Sequence, residues 1–429
     1  MKKNKYLPRI FDSILDFTLK SKGAVLIAGP KWCGKSTTAN RFAKTIIDLM
    51  PVETRENYIN LAKLSPSKFL NIGEKPLLVD EWQHVSFIWD QIKTEVDNAH
   101  SFGLYILTGS VTDKEKTVSI LKNKHTGNGR IVKKIMRTMS LYESKDSNGS
   151  ISLSKLKDKE FSSSFCNKNI DDYAYFICRG GWPMAIDRKK DIALQQAIDY
   201  YEMIVSEDIF SLDDVPLRKD ENRARKVMKA YARNIAIATS DSTIKNDSFG
   251  DSNMDIDTFD KYILALKDLY VIEELEAWNP FLRSKTILRT KETRHFIDPS
   301  IATAALGLSP DSLFKDISYF GLLFESLAIR DLRVYSESIG AKVYKYRDAK
   351  GREADAVIQF RDGSFALIEI KLGGQDEIDK ACEKLIKLAA DIDTKKTGEL
   401  SFLMVITKNK VAYKSDSGVY IVPLACLKN

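Results

Sequence analysis

The 429-residue sequence predicts an α/β fold, with a parallel sheet near the N-terminus, a helical middle and a second α/β unit at the C-terminus. The first observation is a glycine-rich loop, Gly29–Thr37, placed between an apolar strand pattern and a helical pattern. The second is the alternation of strand and helix patterns after this loop, which is typical of a parallel sheet with crossover helices. The third is the order helix, three strands, helix, strand in the last quarter of the chain.

The loop "GPKWCGKST" fits the phosphate-binding pattern G-x-x-x-x-G-K-[ST]. Glycines allow successive backbone N–H groups to point into one concavity, where the helix N-terminus also favours an anion. Lys35 is expected to reach the β- and γ-phosphates of ATP, and the Ser36 hydroxyl to bind Mg²⁺. The alternative is a glycine turn that fits by chance. The candidate nucleotide-binding residues of the loop are Gly29, Pro30, Lys31, Trp32, Cys33, Gly34, Lys35, Ser36 and Thr37.

Further strands of the N-terminal sheet are predicted from short apolar runs. "AVLIA" before the loop is the first, residues 57–62 are a candidate second, and residues 75–83 are the third. The third run ends in Asp80, expected to hold the Mg²⁺ shell, and Glu81, expected to orient or deprotonate the attacking water. The alternative for these two acids is an ordinary exposed turn.

The fourth predicted strand, residues 102–111, ends in small polar residues. Ligands of open α/β sheets bind at the carboxyl ends of strands, so Thr108 or Ser110 is expected near the γ-phosphate, unless this is a plain turn. Arg130 and Arg137 are candidates to neutralise charge in the transition state, as an arginine finger does; the alternative is a surface role.

Composition restricts the class of protein. The hydrophobic fraction of 44% and charged fraction of 29% are typical of folded water-soluble proteins, and the length predicts two to four domains. The five cysteines include no C-x-x-C pair, which argues against a zinc or redox motif. Asp12 and Asp16 interrupt any signal-peptide core, and no apolar run is long enough to cross a bilayer. We therefore expect a cytoplasmic protein without a membrane partner.

The net charge of +7 is concentrated in two basic runs, residues 111–140 and 218–233. Either run could face a nucleic-acid backbone, because phosphate neutralisation dominates such binding, or could be a solvated helix face. Between the runs, the serine-rich residues 147–165 predict a linker or flexible loop. Helices followed by a possible hairpin, formed by residues 276–280 and 285–290, predict a winged-helix-like segment that could contact DNA or a protein partner.

Three charged residues near the C-terminus form a second candidate site. Glu369 and Lys371 lie two apart in a strand pattern and therefore share one face. If Asp355 lies across the ladder, two carboxylates converge into a site suited to Mg²⁺ or Mn²⁺, which Glu325 from the preceding helix could complete. Lys371 would position a nucleophile or stabilise developing charge. Alternatively, these charges pair with one another or with Arg352. The arrangement is similar to the PD-(D/E)XK nuclease pattern.

Taken together, "GPKWCGKST", "LLVDEWQ", "ILTGS", "HTGNGRI" and "RTMSLYES" resemble motifs of prokaryotic AAA+-type ATPases that carry a C-terminal domain of uncharacterised function. The resemblance implies an ATPase core (1–145), a linker and lid-like helical segment (146–240), a winged-helix-like segment (241–310) and a nuclease-like domain (311–429). The resemblance also implies a nucleotide-driven machine and leaves the substrate open. From the two candidate sites we expect an ATPase coupled to a metal-dependent nuclease-like domain that acts on nucleic acid, DNA rather than RNA. The alternative is an ATP-driven switch or scaffold whose C-terminal domain only binds nucleic acid or a protein partner. A homo-oligomer is compatible with either.

Overall fold

The computed structural model describes residues 6–109, 129–212, 219–249, 255–279, 291–348 and 351–429. Parts of the predictions above lie outside these residues: the role of Ser110, residues 111–128 of the first basic run, residue 218 of the second basic run, and residues 280–290 of the possible hairpin.

The N-terminal part is an α/β unit built on a parallel sheet. Its strands within the described residues are β1 (Ala24–Ala28), β2 (Thr45–Asp48), β3 (Leu77–Asp80), β4 (Tyr105–Thr108) and β5 (Ile131–Ile135). They pair in parallel in the order β2-β3-β4-β1-β5. Its helices are α1 (Ile10–Leu19), α2 (Lys35–Phe42), α3 (Val52–Leu64), α4 (Pro66–Leu70) and α5 (Trp89–Ala99). Strands β1, β3 and β4 are fully buried, as their unbroken apolar runs require.

The predicted second strand was wrong. Residues 57–62 lie in helix α3, where Tyr58, Leu61 and Ala62 follow the i, i+3, i+4 spacing and pack on the sheet core. The second strand along the chain is β2, which begins shortly after helix α2 ends. Helix α2 ends at Phe42, and the buried Ile47 of β2 alternates with exposed neighbours, as expected for a strand at the edge of a sheet.

The serine-rich residues 147–165 are not a linker. They form β6 (Ile151–Ser152), α6 (Leu153–Lys157) and β7 (Ser164–Phe165). Strand β6 pairs with β14 (Leu427–Lys428), and β7 pairs with β12 (Val411–Lys414). The serines serve as hydrogen-bonding groups: Ser147 Oγ donates to the Leu427 carbonyl at 2.7 Å, and Ser152 caps α6.

The middle of the chain is helical. Its α-helices are α7 (Ile170–Arg179), α8 (Lys190–Ser206), α9 (Glu221–Arg233), α10 (Asp241–Phe249), α11 (Ile256–Asp268) and α12 (Pro299–Leu306). Isolated bridges join Ala238 and Leu275 to Thr293, and Ile272 to Phe296. A further bridge joins Ala277 to Lys345 in the C-terminal sheet, so the middle segment and the C-terminal unit share backbone pairing.

The C-terminal unit has the predicted order of helix, three strands, helix and strand. Its elements are α13 (Ile317–Ser338), β8 (Lys342–Arg347), β9 (Glu353–Gln359), β10 (Phe365–Lys371), α14 (Gln375–Asp391), α15 (Thr394–Thr397), β11 (Leu400–Thr407), β12, β13 (Tyr420–Pro423) and β14. Strands β8, β9 and β10 form an antiparallel meander, and β11 pairs in parallel with β10. Helix α13 packs on one face of this sheet and α14 on the other. Among the described residues, none of the helices is both long enough and apolar enough to span a membrane.

Candidate functional site

The phosphate loop connects the end of β1 to the start of α2. Gly29 and Gly34 have φ values of 144° and 101°, and a Cβ on Gly29 would lie 2.2 Å from the Met136 carbonyl oxygen. Glycine is therefore required at Gly29 on steric grounds as well. The Lys35 ammonium folds back into the loop and donates to the carbonyls of Gly29 at 3.0 Å and Pro30 at 2.8 Å.

A hydroxyl and a carboxylate meet beside the loop at the carboxyl edge of the sheet. Ser36 Oγ donates to Asp80 Oδ1 at 2.9 Å, and Thr108 Oγ1 donates to the same oxygen. The pairing register of β3 and β4 brings Asp80 and Thr108 together, because these residues are direct partners at the ends of the two strands. Serine and aspartate oxygens are hard donors, so this pair fits a Mg²⁺ ion carried in with a nucleotide.

Glu81 extends from the end of β3 towards the same edge. Its backbone is left-handed, with φ 57° and ψ 47°, and its carboxylate accepts a hydrogen bond from the Gln83 side chain. Glu81 is only partly buried, unlike Asp80. The two adjacent acids thus have different surroundings.

The Arg9 side chain holds the backbone of the phosphate loop in place. Sequence reasoning missed Arg9 because no local sequence pattern indicates its role. Arg9 is buried and donates to the carbonyls of Cys33 at 2.8 Å and Arg137 at 2.7 Å, and its Nε contacts Glu143 at 3.1 Å. The C=O and N–H of a trans peptide point in opposite directions. Holding the Cys33 carbonyl therefore directs the Gly34 N–H away from Arg9.

Three side chains of the loop contact other parts of the protein. Lys31 forms an ion pair of 2.7 Å with Asp208, and the rings of Trp32 and Tyr200 lie 5.5 Å apart. Cys33 is buried, and its thiol donates to the Met136 carbonyl at 3.3 Å. Lys31 and Trp32 thus join the loop to α8 and the turn after it, whereas Cys33 belongs to the core.

Arg130 does not lie at the nucleotide site. Its carbonyl accepts from the N–H of Ala24, the first residue of β1, so it lies at the opposite end of the sheet from the phosphate loop. A five-residue strand spans about 16 Å. The Arg130 side chain instead pairs with Asp97 at 2.6 Å. The prediction that Arg130 contacts the nucleotide is therefore wrong within one chain.

The Arg137 side chain also forms ion pairs away from the nucleotide site. It donates to Glu273 at 2.8 and 3.1 Å through Nε, and to Glu337 at 2.8 Å. Burial opposes ionisation of Glu273, but Arg137 and Arg333 outweigh it and hold the pKa of Glu273 down at about 2. Arg137 therefore joins the end of the parallel sheet to the middle segment and to α13, and it is not available as an arginine finger in this arrangement.

Arg137 begins a short stretch, residues 137–147, that we call the junction segment. Thr138 donates to Asp298 at 2.7 Å, and the Leu141 N–H donates to Asp331 of α13 at 3.0 Å. Because Arg9 contacts both the phosphate loop and the Arg137 carbonyl, the loop is connected through buried polar contacts to the C-terminal unit.

Several basic residues of the two runs form ion pairs within the protein. Arg225 forms two hydrogen bonds of 2.7 and 2.6 Å to Glu202, and Arg223 pairs with Asp220 at 3.2 Å. Lys134 lies 4.0 Å from Glu337. These contacts support the interpretation that each run contributes to packing or to a solvated helix face.

The C-terminal site brings together the four residues predicted for it. Lys371 Nζ lies 3.1 Å from Asp355 Oδ2 and 2.8 Å from Glu369 Oε2, and Asp355 also accepts from the Ile370 N–H at 2.8 Å. Glu325 faces the same site from α13 but contacts Lys345, at 3.0 Å. The prediction that Glu369 and Lys371 lie on one face of β10 is therefore correct. Arg352, the alternative partner considered for these charges, pairs with Asp348 and Asp391 instead.

Two further lysines enter this site, and sequence reasoning missed both. Lys345 of β8 lies 3.0 Å from Glu325 and 3.4 Å from Asp355, and Lys384 of α14 lies 2.9 Å from Glu369. In β8, Lys345 lies between Tyr344 and Tyr346, which is only a weak sequence signal for a functional residue. On α14, Lys384 follows the buried Ala381 by three residues.

Burial and mutual repulsion separate the pKa values of the three carboxyl groups. Burial, and then the nearby charge of Asp355, raise the pKa of Glu325 to about 7. Asp355 is equally buried, but Lys345 and Lys371 hold its pKa down at about 2. Burial raises the pKa of Glu369 as well. Asp355 is thus the most acidic of the three carboxyl groups.

The arrangement does not fit a divalent metal ion. Among the described residues, His, Cys, Asp and Glu side chains form no group of three or more that could hold one. Lys345 lies between Glu325 and Asp355, and Lys371 lies between Asp355 and Glu369. Ammonium groups therefore stand where a metal ion would have to bind both carboxylates.

Three segments of the chain match known domain families. Residues 21–145 match the AAA domain, residues 170–312 match a domain of unknown function (DUF8612), and residues 320–427 match another domain of unknown function (DUF4143). The first match covers the parallel sheet and its phosphate loop. The N-terminal domain is P-loop ATPase-like. The four-part division of the chain inferred from sequence stays a prediction.

Solved structures show only distant likeness. A Walker-type ATPase of Pyrococcus abyssi is 14% identical with a TM-score of 0.39, the likeness covering 70% of this chain and 96% of that one. A signal transduction ATPase with a tetratricopeptide repeat sensor from Pyrococcus horikoshii is 12% identical with a TM-score of 0.25, covering 79% and 50%. The Aeropyrum pernix ORC1 protein, solved with DNA, is 12% identical with a TM-score of 0.27, covering 73% and 94%. No curated protein matches the sequence.

Proposed function

We propose that this protein binds ATP with Mg²⁺ at the phosphate loop and hydrolyses it. The observation that carries the proposal is the meeting of Ser36, Asp80 and Thr108 at the carboxyl edge of the sheet, directly beside the loop and the start of α2. A phosphate loop alone indicates only anion binding. The hydroxyl and carboxylate beside it supply the cation site that nucleoside triphosphates require.

Each residue of this site has a role that its position supports. The backbone N–H groups of the loop and the first turn of α2 bind the phosphates, because they are free donors at a helix N-terminus. Lys35 exchanges its contacts with the Gly29 and Pro30 carbonyls for the β- and γ-phosphates. Ser36 and Asp80 would hold Mg²⁺, which when bound offsets the negative charge of the phosphates. Glu81 orients and deprotonates the attacking water.

For the C-terminal unit we propose nucleic-acid or partner binding without metal-dependent cleavage. The sequence favoured a metal-dependent nuclease-like domain, with Asp355, Glu369 and Lys371 as catalytic residues. The contacts of Lys345, Lys371 and Lys384 support the alternative instead, because they neutralise the carboxylates that would bind the metal. On this proposal, the chain is an ATP-driven switch, and the junction segment carries the nucleotide state to α13.

The ATPase proposal is tested by measuring ATP binding and phosphate release for three variants. We expect Lys35→Ala to lose turnover and Glu81→Gln to bind ATP but hydrolyse it at least about a hundredfold more slowly, as removal of a general base does. Lys44→Ala is the matched control, because Lys44 is an exposed lysine that pairs only weakly with Glu74, at 3.5 Å. Normal turnover by Lys35→Ala would disprove the assignment of the loop.

The second proposal is tested with plasmid and single-stranded DNA and RNA, with Mg²⁺ or Mn²⁺, in the presence and absence of ATP. We expect salt-dependent binding without cleavage. Metal-dependent cutting that disappears in Glu369→Ala and Lys371→Ala would establish the nuclease instead. If nucleic acid is neither bound nor cut, a protein partner becomes the target of the search.

A further inference from the structure

Six charged side chains of the C-terminal unit form one alternating row. In order, its members are Glu325, Lys345, Asp355, Lys371, Glu369 and Lys384, with N–O distances between successive members of 3.0, 3.4, 3.1, 2.8 and 2.9 Å. Each neighbouring pair of carboxylates is therefore separated by an ammonium group. The row comes from five different elements, α13, β8, β9, β10 and α14, so it is a product of the tertiary fold.

Lys345 is the most enclosed lysine of the row. Its side chain is 13% exposed, against 27% for Lys371 and 37% for Lys384, and its two carboxylate partners are themselves buried. Burial removes the competing hydration of the ammonium and leaves the two carboxylates as its surroundings. The Lys345 ammonium thus lies between two buried acidic side chains, Glu325 and Asp355.

The backbone of Lys345 is also fixed, and by a different part of the chain. Its N–H donates to the Glu276 carbonyl at 2.9 Å, and its carbonyl accepts from the Trp278 N–H at 2.7 Å. The Trp278 ring packs on Phe365, with 4.8 Å between centroids. The middle segment therefore clamps β8 at this residue, and Lys345 does not depend on its side-chain partners to stay in place.

A divalent ion shared by Glu325 and Asp355 would have to lie where the Lys345 ammonium lies. Oxygen ligands surround such ions at about 2.0–2.6 Å, which leaves no space for an ammonium between the same oxygens. Binding would also add two positive charges next to a buried cation, and this repulsion is poorly screened. Metal binding and the observed position of Lys345 therefore exclude each other.

We propose that Lys345 is the built-in cation of this site, occupying the position between Glu325 and Asp355 that a divalent ion would otherwise take. The site is consequently closed to Mg²⁺ and Mn²⁺ in the native protein. Removing the ammonium leaves two buried carboxylates facing each other, which a divalent ion would then stabilise. This inference does not depend on ATP hydrolysis at the phosphate loop.

The test is Mn²⁺ binding to nucleotide-free full-length protein, followed by the electron paramagnetic resonance signal of free Mn²⁺. The proteins compared are the native chain, Asp355→Asn, Lys345→Met, Lys345→Met with Asp355→Asn, and Lys342→Met. The last is a matched control, because Lys342 is an exposed lysine of the same strand. Circular dichroism establishes folding, and Lys345→Gln replaces Lys345→Met if the methionine variant does not fold.

We expect Lys345→Met to bind one additional Mn²⁺ with a Kd at least about tenfold below that of any site in the native chain, a gain corresponding to about 1.4 kcal/mol. The additional site should disappear when Asp355→Asn is added, and Lys342→Met should behave like the native protein. The proposal is overturned if the native chain already binds Mn²⁺ in a manner that Asp355→Asn abolishes. It is equally overturned if folded Lys345→Met or Lys345→Gln gains no site.

Discussion

Replacing Arg9 with methionine should destabilise the protein and loosen the phosphate loop together. Arg9 is buried and makes three contacts: to Glu143 at 3.1 Å, to the Cys33 carbonyl at 2.8 Å and to the Arg137 carbonyl at 2.7 Å. Methionine retains much of the apolar stem but none of the donors. The substitution therefore leaves one carboxylate and two carbonyls without this partner.

The size of the effect follows from what Glu143 retains. Breaking a buried ion pair by removing one partner costs about 3–5 kcal/mol. Glu143 keeps hydrogen bonds from the Ile10 N–H at 2.7 Å and from the Ser140 N–H and hydroxyl at 2.7 and 3.0 Å, so its charge is not left bare. We therefore expect the lower end, a loss of roughly 3 kcal/mol in the free energy of unfolding.

Urea unfolding of native protein, Arg9→Met, Glu143→Gln and the double variant measures this loss and the coupling of the pair. The double variant should lose less than the sum of the single losses, because each single change already breaks the shared contact. Lys20→Met is the control, since Lys20 pairs with Asp16 on the surface, where ion pairs contribute little.

A loss below about 1 kcal/mol for Arg9→Met, or additive losses in the cycle, would refute this reasoning. ATP affinity gives a second measure. Because Arg9 directs the Cys33–Gly34 peptide, affinity should fall in Arg9→Met and recover partly in Arg9→Lys, which restores one donor. Affinity equal to the native value in Arg9→Met would show that the loop holds its shape without this contact.

Two other predictions concern acid stability and nucleotide binding. The pKa of Glu273 is about 2 in the folded protein, so its ion pair with Arg137 contributes stability above the ordinary glutamate pKa of about 4.5 and loses it as the pH falls towards 2. Urea unfolding should therefore show native protein about 3 kcal/mol more stable than Glu273→Gln at pH 7, with a difference that shrinks below pH 4.5; a difference independent of pH would contradict this assignment. Trp32 is 43% exposed on the phosphate loop, so ATP should change the tryptophan fluorescence of the native protein but not that of Trp32→Phe. An equal change in both proteins would show that another tryptophan responds to ATP.

The parts that sequence analysis predicted correctly were those where one local pattern determines one structure. The phosphate loop, β3 with Asp80, and β4 with Thr108 combine apolar runs with polar ends that meet at the carboxyl edge of the sheet. The shared face of Glu369 and Lys371 follows from strand periodicity alone. The error at residues 57–62 arose because a short, moderately apolar run fits either a strand or one face of a helix.

The residues that sequence analysis missed depend on contacts between distant parts of the chain. Arg130 was a candidate arginine finger. Its position at the end of the sheet away from the phosphate loop follows from the register of β5 against β1, which the sequence does not specify. Arg9 acts through backbone carbonyls, which leave no trace in the sequence. Lys345 reaches the acidic residues only because β8 folds back on β9, and the middle segment then fixes it there.

The pairing of β6 with β14 and of β7 with β12 affects how the chain folds during synthesis. Among the described residues, the last strand of the N-terminal parallel sheet ends at residue 135. The strands of the serine-rich stretch pair with β12 and β14, which are made well over two hundred residues later. At roughly 5–20 residues per second, that delay is roughly 10–50 s. An apolar strand exposed for so long on the ribosome would invite aggregation. We therefore expect the many serines of this stretch, which also give it the composition of a linker, to limit aggregation until β12 and β14 are made.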